Sequence, residues 1–548
     1  MTGLCSALLL AGGGVSPAAA SDVGVNDFPV SQAGAAFDAT DPSVAYNPAA
    51  DEYLVVWEGE KDVDGEVEIY GQRLNASGAE VVTDDFRISD MGPDGDTAFS
   101  ARKPAVVYNP DAAEYLVVWQ GVDAANDGTE IFIQRLTGAT ADPAGPNDFR
   151  ISDMGTAGSV NDLAVDPALA YNAASKEYLV VWSASDRSNP ALAPGEPEIY
   201  GQRLDAAGAE LGADDFRIST VGPDGDANHH GSTPAVAWGS GANQYLVVWN
   251  GDEIDDDNEI YGQLLTAAGD EVGADDFRIS QSGPDGDINW IGALDPAIAY
   301  NATNDEFLVV WHGDDPVIGD VEIRAQRLSA AGAELGTDDF PLSDMDFTTA
   351  PAVVWTGAAA NDYVVVWEGS DGGEEEIFGQ RLAGPSAAQV GTDDFRLSDM
   401  EFNAHDPAAT HNVNHAEHLV VWGGEDDETP PLAAGDFEVF GQRFNDEPTA
   451  VTVTRLAARV VPGGIELRWR TASELAVLGF HVTRTAGPAP RGKADSVLLA
   501  ARARGGGASY RWVDRSARTP GRYRYRLEAV RLDGARSLAA AVTVVRAR

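Results

Sequence analysis

The acidic segment at residues 60–68 has the spacing best suited to binding a metal ion. Glu60, Asp62 and Asp64 place carboxylates at alternate positions, a glycine follows, and Glu68 comes four residues after Asp64. Oxygen ligands at alternate positions with a glycine for the sharp turn suit Ca²⁺, which relieves the repulsion among crowded carboxylates. Calcium is therefore the one candidate cofactor, and a plain solvated loop is the alternative.

Five residues lie outside the repeated pattern and are candidates for a ligand-binding face. They are His229, His230, Trp290, His312 and His405. A histidine cluster can bind zinc or supply a general base. The tryptophan can stack on a sugar, with loop packing as its alternative role. No nucleophile, acid–base pair or cofactor loop stands out, so the sequence predicts no catalytic residue and no organic cofactor.

The elements that must position these residues are marked by an apolar run that ends in tryptophan. This run recurs seven times. The run is EYLVVW or a close variant, and its last residue is Trp57, Trp119, Trp182, Trp249, Trp311, Trp367 and Trp422. The spacing of 55 to 67 residues indicates a repeat fold. Because apolar residues occupy both the odd and the even positions of the run, it predicts a strand that is buried on both faces.

Each repeat has three further pieces rich in strand-forming residues. A PAVAYN-type segment comes first, an EIYGQRL-type segment follows the tryptophan, and a DFRIS-type segment ends the repeat. The seventh repeat lacks its last piece, while a lone copy, DFPVS at residues 27–31, precedes the first repeat. A closed ring explains this split, since the leading strand would complete the final repeat and leave no unpaired edge.

These segments resemble those of secreted bacterial seven-bladed β-propeller repeat proteins, whose units read P-x-V-A, Y-V-V-x-W, I-Y-G-Q-R-F/L and F-x-V/I-S/N. The resemblance covers residues 26–444. It implies a propeller in a cell-surface or extracellular protein. The predicted fold class is all-β: a seven-bladed β-propeller closed by an N-terminal strand, followed by an immunoglobulin-like β-sandwich.

Several polar residues recur in almost every repeat and are predicted to be structural. Glu68 recurs in all seven copies, so its alternative to calcium binding is pairing with an arginine or capping a turn. Gln72, Arg73 and Asp85 recur in nearly every copy. We expect them to form a hydrogen-bond set within each blade, because a buried polar group needs a partner in every blade, whereas a catalytic group is needed once.

The C-terminal segment differs in charge and pattern. Residues 449–548 carry 19 basic and 6 acidic residues, whereas residues 1–448 carry 17 and 82. After a linker at 445–450, strands such as RYRYRLEA alternate polar and apolar residues, which is typical of a two-sheet sandwich. Residues 451–548 resemble fibronectin type III-like modules. The arginine stripes are a solvated face, bind an anionic surface or glycan, or dock on the acidic propeller.

Composition also bounds the location and the partners. Residues 1–20 have an apolar stretch and small residues before a cleavage site, which predicts a signal peptide and a secreted or cell-surface protein. The single cysteine, Cys5, lies within that segment, so the mature chain has no disulfide. No later segment is apolar enough to predict a transmembrane span. The acidic body would repel phosphates, which excludes nucleic acid as a partner.

The sequence favours one function and leaves a second open. The favoured function is an exported, non-catalytic scaffold for binding or adhesion, a monomer that presents an acidic propeller face to an extracellular glycan or protein. The alternative is a carbohydrate-active hydrolase or lyase with its site on the propeller rim. The first rests on seven-fold repetition without a unique catalytic group; the second rests on the unrepeated histidines and Trp290.

Overall fold

The chain is built almost wholly of β-strands. The computed structural model describes residues 21–546 apart from 33–37, 61–64, 82–84, 123–127, 155–162, 186–195, 227, 253–257, 283–291, 315–320, 346, 371–373, 401–402, 426–436, 446–450, 475–476, 487–498, 501, 503–507 and 532–535. The described residues contain one short helix, α1 at Gly357–Ala360. The described residues therefore contain no helix that is long and apolar enough to cross a bilayer.

The strands of the repeats follow one another in chain order. They are β1 Ser21–Pro29, β2 Ala39–Asn47, β3 Glu52–Gly59, β4 Glu68–Asn75, β5 Phe86–Arg87, β6 Ala101–Asn109, β7 Glu114–Gly121, β8 Glu130–Thr137, β9 Pro143–Arg150, β10 Ala164–Asn172, β11 Glu177–Ala184, β12 Glu198–Asp205, β13 Glu210–Arg217, β14 Gly231–Gly239, β15 Gln244–Asp252, β16 Asn258–Thr266, β17 Glu271–Arg278, β18 Ala293–Asn301, β19 Glu306–Asp314, β20 Val321–Ser329, β21 Glu334–Pro341, β22 Thr348–Trp355, β23 Asp362–Ser370, β24 Glu375–Ala383, β25 Ala388–Arg396, β26 Ala404–Asn412, β27 Glu417–Gly424 and β28 Glu438–Asn445. The C-terminal strands are β29 Val451–Val461, β30 Gly464–Glu474, β31 Val477–Ala486, β32 Leu499–Ala500, β33 Ser509–Asp514, β34 Gly521–Arg531 and β35 Arg536–Arg546.

Each repeat folds into an antiparallel four-stranded sheet. Six sheets take four consecutive strands each, from β2–β5 through β22–β25. The remaining sheet of the repeats has the order β1-β28-β27-β26, so its outer strand comes from the start of the described chain. In that pairing Phe28 lies opposite Gly441 and Pro29 lies opposite Phe440.

The second strand of each sheet forms its core, as the apolar runs predict. The seven repeated tryptophans are at most 2% exposed, and the aliphatic residues before them are fully buried. Residues of neighbouring sheets share each hydrophobic cluster. The first strands contact one another in succession, and β26 contacts β2. Burial of both faces therefore comes from sheets stacked against two neighbours.

The repeated aspartate before each DFRIS-type phenylalanine bonds within its own sheet, as predicted, and also joins neighbouring sheets. Its backbone N–H donates to the repeated glutamine of the same sheet, as that of Asp215 does to Gln202 at 3.1 Å. Its carboxylate accepts a hydrogen bond from a backbone N–H of the adjacent sheet. The pairs are Asp27–Asp399, Asp85–Gln32, Asp148–Asp90, Asp215–Asp153, Asp276–Thr220, Asp339–Gln281 and Asp394–Asp344. The repeated glutamine and arginine do act within one sheet: Gln72 donates to the carbonyl of Arg73, and Arg73 pairs with Glu52.

The C-terminal strands form two sheets that share one hydrophobic cluster. Their orders are β29-β30-β33 and β32-β31-β34-β35. Tyr523, Tyr525 and Leu527 on β34 are fully buried, as the alternating pattern predicts. The arginines between them face the repeats: Arg524 and Arg526 lie 3.1 and 3.0 Å from the carboxylate of Asp399. Two arginines of the stripe therefore dock on the acidic part of the same chain.

Candidate functional site

A pocket lies where the first strands of the seven repeat sheets meet. Its volume is about 290 Å³. Each sheet contributes a proline and the residue before it. The residues before proline are Asp41, Lys103, Asp166, Thr233, Asp295, Ala350 and Asp406, and we call the pocket that they line with Pro42, Pro104, Pro167, Pro234, Pro296, Pro351 and Pro407 the axial pocket. First strands begin and second strands end at this pocket, so it lies at the end of the sheets where each second strand is followed by its connection to the third.

A β-bulge in each first strand sets the orientation of the residue before proline. The pairing of each first strand with its second strand shifts register at this point, for example between Thr40 and Ser43. The seven residues before proline have φ between +46° and +53°. Aspartate tolerates this left-handed region better than most residues, but Thr233 is β-branched and strained there. Strain of this kind persists where surrounding structure fixes it, and it is concentrated at functional sites.

One side of the axial pocket combines opposite charges. The ammonium of Lys103 pairs with the carboxylate of Asp41. Behind them, Glu58 accepts a bond of 2.9 Å from Arg102 and one of 2.8 Å from the backbone N–H of Lys103. Burial lowers the pKa of Lys103, but the neighbouring carboxylates outweigh it and raise the pKa overall. Burial and the charge of Asp41 raise the pKa of Glu58.

Two other carboxyl groups of the axial pocket have raised pKa values. Burial raises the pKa of Asp166, and the charges of Asp295 and Asp41 add to this, while Lys103 opposes it. The backbone N–H of Asp166 donates to Gln120 at 2.7 Å, which fixes its position. Burial and the charge of Asp41 raise the pKa of Asp406 to about 6, although its side chain remains open to the pocket. The pocket thus brings together acids that hold their protons to different degrees.

The four proposed calcium ligands at residues 60–68 do not share one described environment. Glu68 is buried, and its two oxygens accept bonds from Arg87, Ser89 and the backbone N–H of Met91. That is the structural role which the sequence offered as the alternative. Glu60 is half-buried, and Asp62 and Asp64 lie outside the described residues. Calcium binding at residues 60–68 stays a prediction.

The unrepeated histidines are not gathered into one cluster. The ring of His229 contacts the carbonyl of Asp252 at 3.0 Å, and the carbonyl of His230 accepts the N–H of Asp252. His312 is buried 3.6 Å from Asp295, and this burial lowers its pKa. Trp290 lies outside the described residues.

His405 lies beside the axial pocket and contacts carboxylates of the neighbouring sheet. Its Nδ1 is 3.3 Å from an oxygen of Glu368. The hydrogen bond with Glu368 raises the pKa of His405, although burial opposes this. Among the described ligand-face residues, His312 therefore lies 3.6 Å from the lining residue Asp295, and His405 directly precedes the lining residue Asp406.

Sequence reasoning missed the lining residues themselves, namely Asp41, Lys103 and Asp166. A signal for them is present in the repeats. The residue before each PAVAYN-type segment is aspartate in four copies and lysine, threonine or alanine in the other three, while the proline that follows it is invariant. The residue after each repeated tryptophan varies in the same way and includes Glu58 and His312. Only the fold reveals that these variable positions converge at one place.

Comparison with known proteins gives similarity in structure alone. No family model matches the chain, and no curated protein matches its sequence. The fold is similar to that of the GH93 alpha-L-arabinofuranosidase of Fusarium graminearum in complex with arabinobiose, with 13% identity over 77% of this chain and 97% of that chain and a TM-score of 0.43. It is also similar to a PL25 ulvan lyase, with 10% identity, 78% and 94% coverage and a TM-score of 0.45.

A third similar structure is the GH43 endo-arabinanase of Bacillus licheniformis, with 12% identity, 57% and 99% coverage and a TM-score of 0.32. These proteins are glycoside hydrolases and a polysaccharide lyase, so the prediction of a non-catalytic binding or adhesion scaffold is wrong, and its alternative, a carbohydrate-active enzyme, is the better supported of the two. At this identity the similarity concerns the fold, and the chemistry has to be argued from the residues of the axial pocket.

Proposed function

We propose that this protein is a carbohydrate-active hydrolase whose active site is the axial pocket. The observation that supports this most directly is the chemistry of the lining positions. The position before proline holds aspartate in four copies and lysine, threonine or alanine in the other three, so the acidic lining is interrupted on one side by Lys103. A pocket with converging charged groups of both signs can bind a polar ligand and supply carboxyl groups for catalysis.

The charge of the axial pocket favours a neutral glycan. Four of its seven variable lining residues are aspartates, and Lys103, its one cation there, is paired with Asp41. A lyase must bind the carboxylate of a uronic acid next to the bond that it breaks, and this pocket would repel that group. Hydrolysis of a neutral polysaccharide is therefore the favoured reaction over elimination from an anionic one.

Glycoside hydrolysis needs one carboxyl group that donates a proton and one carboxylate that acts as base or nucleophile. Asp166 suits the first role because burial and neighbouring carboxylates raise its pKa. Asp41 suits the second role because it is a carboxylate held in an ion pair beside the same lysine. Lys103 comes from the sheet between theirs and pairs with Asp41.

The finer architecture belongs to the same proposal. We take the seven repeat sheets as the blades of a propeller over residues 26–444 that β1 closes, supported by the pairing of β1 with β28 and the contact of β26 with β2. We take residues 451–548 as a fibronectin type III-like sandwich. The hydroxyl of Tyr523 donates to the carbonyl of Thr519 at 2.8 Å, which resembles the tyrosine corner of immunoglobulin-like domains. A signal peptide at 1–20 and export complete the proposal.

The test is turnover of a panel of polysaccharides by purified protein, followed as release of reducing ends. The panel contains neutral polymers, with linear arabinan among them, and anionic polymers, with ulvan among them. We expect hydrolysis of a neutral member and a loss of 10²-fold to 10⁴-fold on Asp166→Asn or Asp41→Asn. No turnover of any member, or full activity in both variants, would refute the proposal.

A matched control variant shows whether activity depends on the aspartates of the axial pocket or on any buried aspartate. Burial raises the pKa of Asp276 to about 6, yet this aspartate lies on the outer strand β17, where it binds Thr220. Asp276→Asn should leave activity unchanged, because the axial pocket is untouched. Unsaturated products absorbing in the ultraviolet, in place of simple reducing ends, would indicate a lyase and overturn the choice of hydrolysis.

A further inference from the structure

Two carboxylates and one imidazole converge at the junction between the sheet β22–β25 and the sheet that contains β26. Glu368 lies near the end of β23, Glu375 begins β24, and His405 lies on β26. The Nδ1 atom of His405 is 3.3 Å from an oxygen of Glu368 and 3.8 Å from an oxygen of Glu375. One ligand atom from each of the three residues lies within 4.8 Å of the others.

Glu375 and His405 have no equivalent of the same type in the other repeats, and Glu368 shares its type only with Glu58. The residues equivalent to Glu368 are Glu58, Gln120, Ser183, Asn250, His312 and Gly423. Those equivalent to Glu375 are Val67, Thr129, Pro197, Asn258, Val321 and Phe437, and those equivalent to His405 are Thr40, Arg102, Val165, Ser232, Leu294 and Thr349. Among the seven copies, this junction alone combines a histidine with two glutamates.

The first junction shows what a purely structural solution looks like. There the glutamate equivalent to Glu368 is Glu58, and the residue equivalent to His405 is Arg102, which binds Glu58 at 2.9 Å. A guanidinium is a permanent cation and neutralises one carboxylate. At the sixth junction an imidazole replaces the guanidinium and a second carboxylate is added. This exchange removes permanent positive charge and gains a nitrogen that can bind a metal.

The ligand set matches zinc better than calcium. Calcium takes six to eight oxygen ligands, whereas zinc binds imidazole nitrogen together with carboxylate oxygen at about 2.0–2.2 Å. Tetrahedral ligands at that distance lie about 3.3 Å apart. The separation of His405 and Glu368 already has this value, and Glu375 is 34% exposed and has room to move closer by about 0.5 Å.

We propose that Glu368, Glu375 and His405 bind one Zn²⁺ ion and thereby join two neighbouring sheets beside the axial pocket. Three protein ligands leave a fourth position for water or another ligand. The ring of Phe437 packs 6.0 Å from that of His405, and the backbone N–H of Glu375 donates to Asn403 at 3.2 Å. Both contacts hold ligand residues in place. The site does not depend on the proposed hydrolase activity.

Zinc binding is measured directly on tag-free, chelator-treated full-length protein by calorimetry at neutral pH, with Ca²⁺ as the second probe. We expect one Zn²⁺ per chain with a micromolar or smaller Kd, a higher melting temperature with zinc, and no competition by Ca²⁺. His405→Gln and Glu375→Gln should each weaken zinc binding at least tenfold. His229→Gln, which changes a half-buried histidine elsewhere, should bind zinc as the unchanged protein does.

A spectroscopic measurement on the unchanged protein keeps the test independent of whether the variants fold. Zinc-edge X-ray absorption should report a first shell of one imidazole and carboxylate oxygens. A shell with more than one imidazole, zinc that is lost on His229→Gln, or a stoichiometry near zero would each overturn the site. Unchanged affinity in folded His405→Gln protein would do the same.

Discussion

Replacing Asp339 by asparagine should stabilise the protein above neutral pH. Asp339 is 8% exposed and links two sheets through its bond of 2.6 Å from the N–H of Gln281. Its other oxygen is buried and has no hydrogen-bond partner among the described residues. Asparagine keeps the accepting oxygen, and it tolerates the φ of +41° at this position better than most residues do. The substitution therefore removes a buried charge and leaves the link between the sheets.

The magnitude follows from the pKa of this carboxyl group. Burial raises the pKa of Asp339 from 3.8 to about 7. Because the folded value is the higher one, the folded state binds more protons between these values, and stability falls as the pH rises from about 4 to 7. Roughly three pKa units at 1.36 kcal/mol each set a ceiling of about 4 kcal/mol. Relaxation around the charge reduces this, so we expect about 2 kcal/mol at pH 8 and a small effect at pH 4.5.

The assay is urea unfolding followed by tryptophan fluorescence, with the midpoint compared at pH 4.5 and pH 8. The control is Asp338→Asn, which removes the same charge from the exposed neighbouring residue and should shift the midpoint little at either pH. Equal destabilisation of Asp339→Asn at both pH values would refute the reasoning, because the carboxylate would then stabilise the fold as an ion.

Four further outcomes are expected. Removing residues 21–31 takes β1 from its sheet and exposes the edge of β28, so the melting temperature should fall and self-association should appear in size-exclusion chromatography; an unchanged melting temperature would contradict this. Trp311→Ala should cost about 3–5 kcal/mol in urea unfolding, because the side chain is fully buried between sheets. Asp399→Asn removes the carboxylate that binds two arginines of β34, so limited proteolysis should separate the C-terminal domain faster, and equal rates would argue against docking. Hydrolase activity should fall as the pH rises through the raised pKa of Asp166, and a pH profile that Asp166→Asn leaves unchanged would exclude this residue as the acid.

The repeat architecture and the role of Glu68 illustrate how far local sequence reaches. Seven runs with apolar residues at both odd and even positions require strands that are covered on both faces, and the repeated tryptophans are indeed buried. The recurrence of Glu68 in every copy was enough to suggest a structural role, and its carboxylate is bound by Arg87 and Ser89. Both features depend on contacts with residues of the same repeat or of the adjacent repeat, and the repeat period shows which segments these are.

The site depends on contacts that no local pattern contains. Asp41, Lys103 and Asp166 are about 60 residues apart in the chain, and each stands alone before a proline. The pKa shifts of Lys103 and Asp166 arise from burial and from the charges of neighbouring groups at a common pocket, both of which exist only after the sheets have stacked. For the same reason, sequence reasoning predicted the bonds that the repeated aspartates make within a blade but missed those that their carboxylates make with the next sheet.

The amino-acid sequence by itself determined the strands, their repetition and the change from an acidic body to a basic end, because periodicity and composition act over a few residues. Only the tertiary structure decided which variable residues share a pocket, which histidine meets carboxylates, and where the arginines dock. Stacking of the sheets sets those distances, and a distance between remote residues is not encoded at any single position.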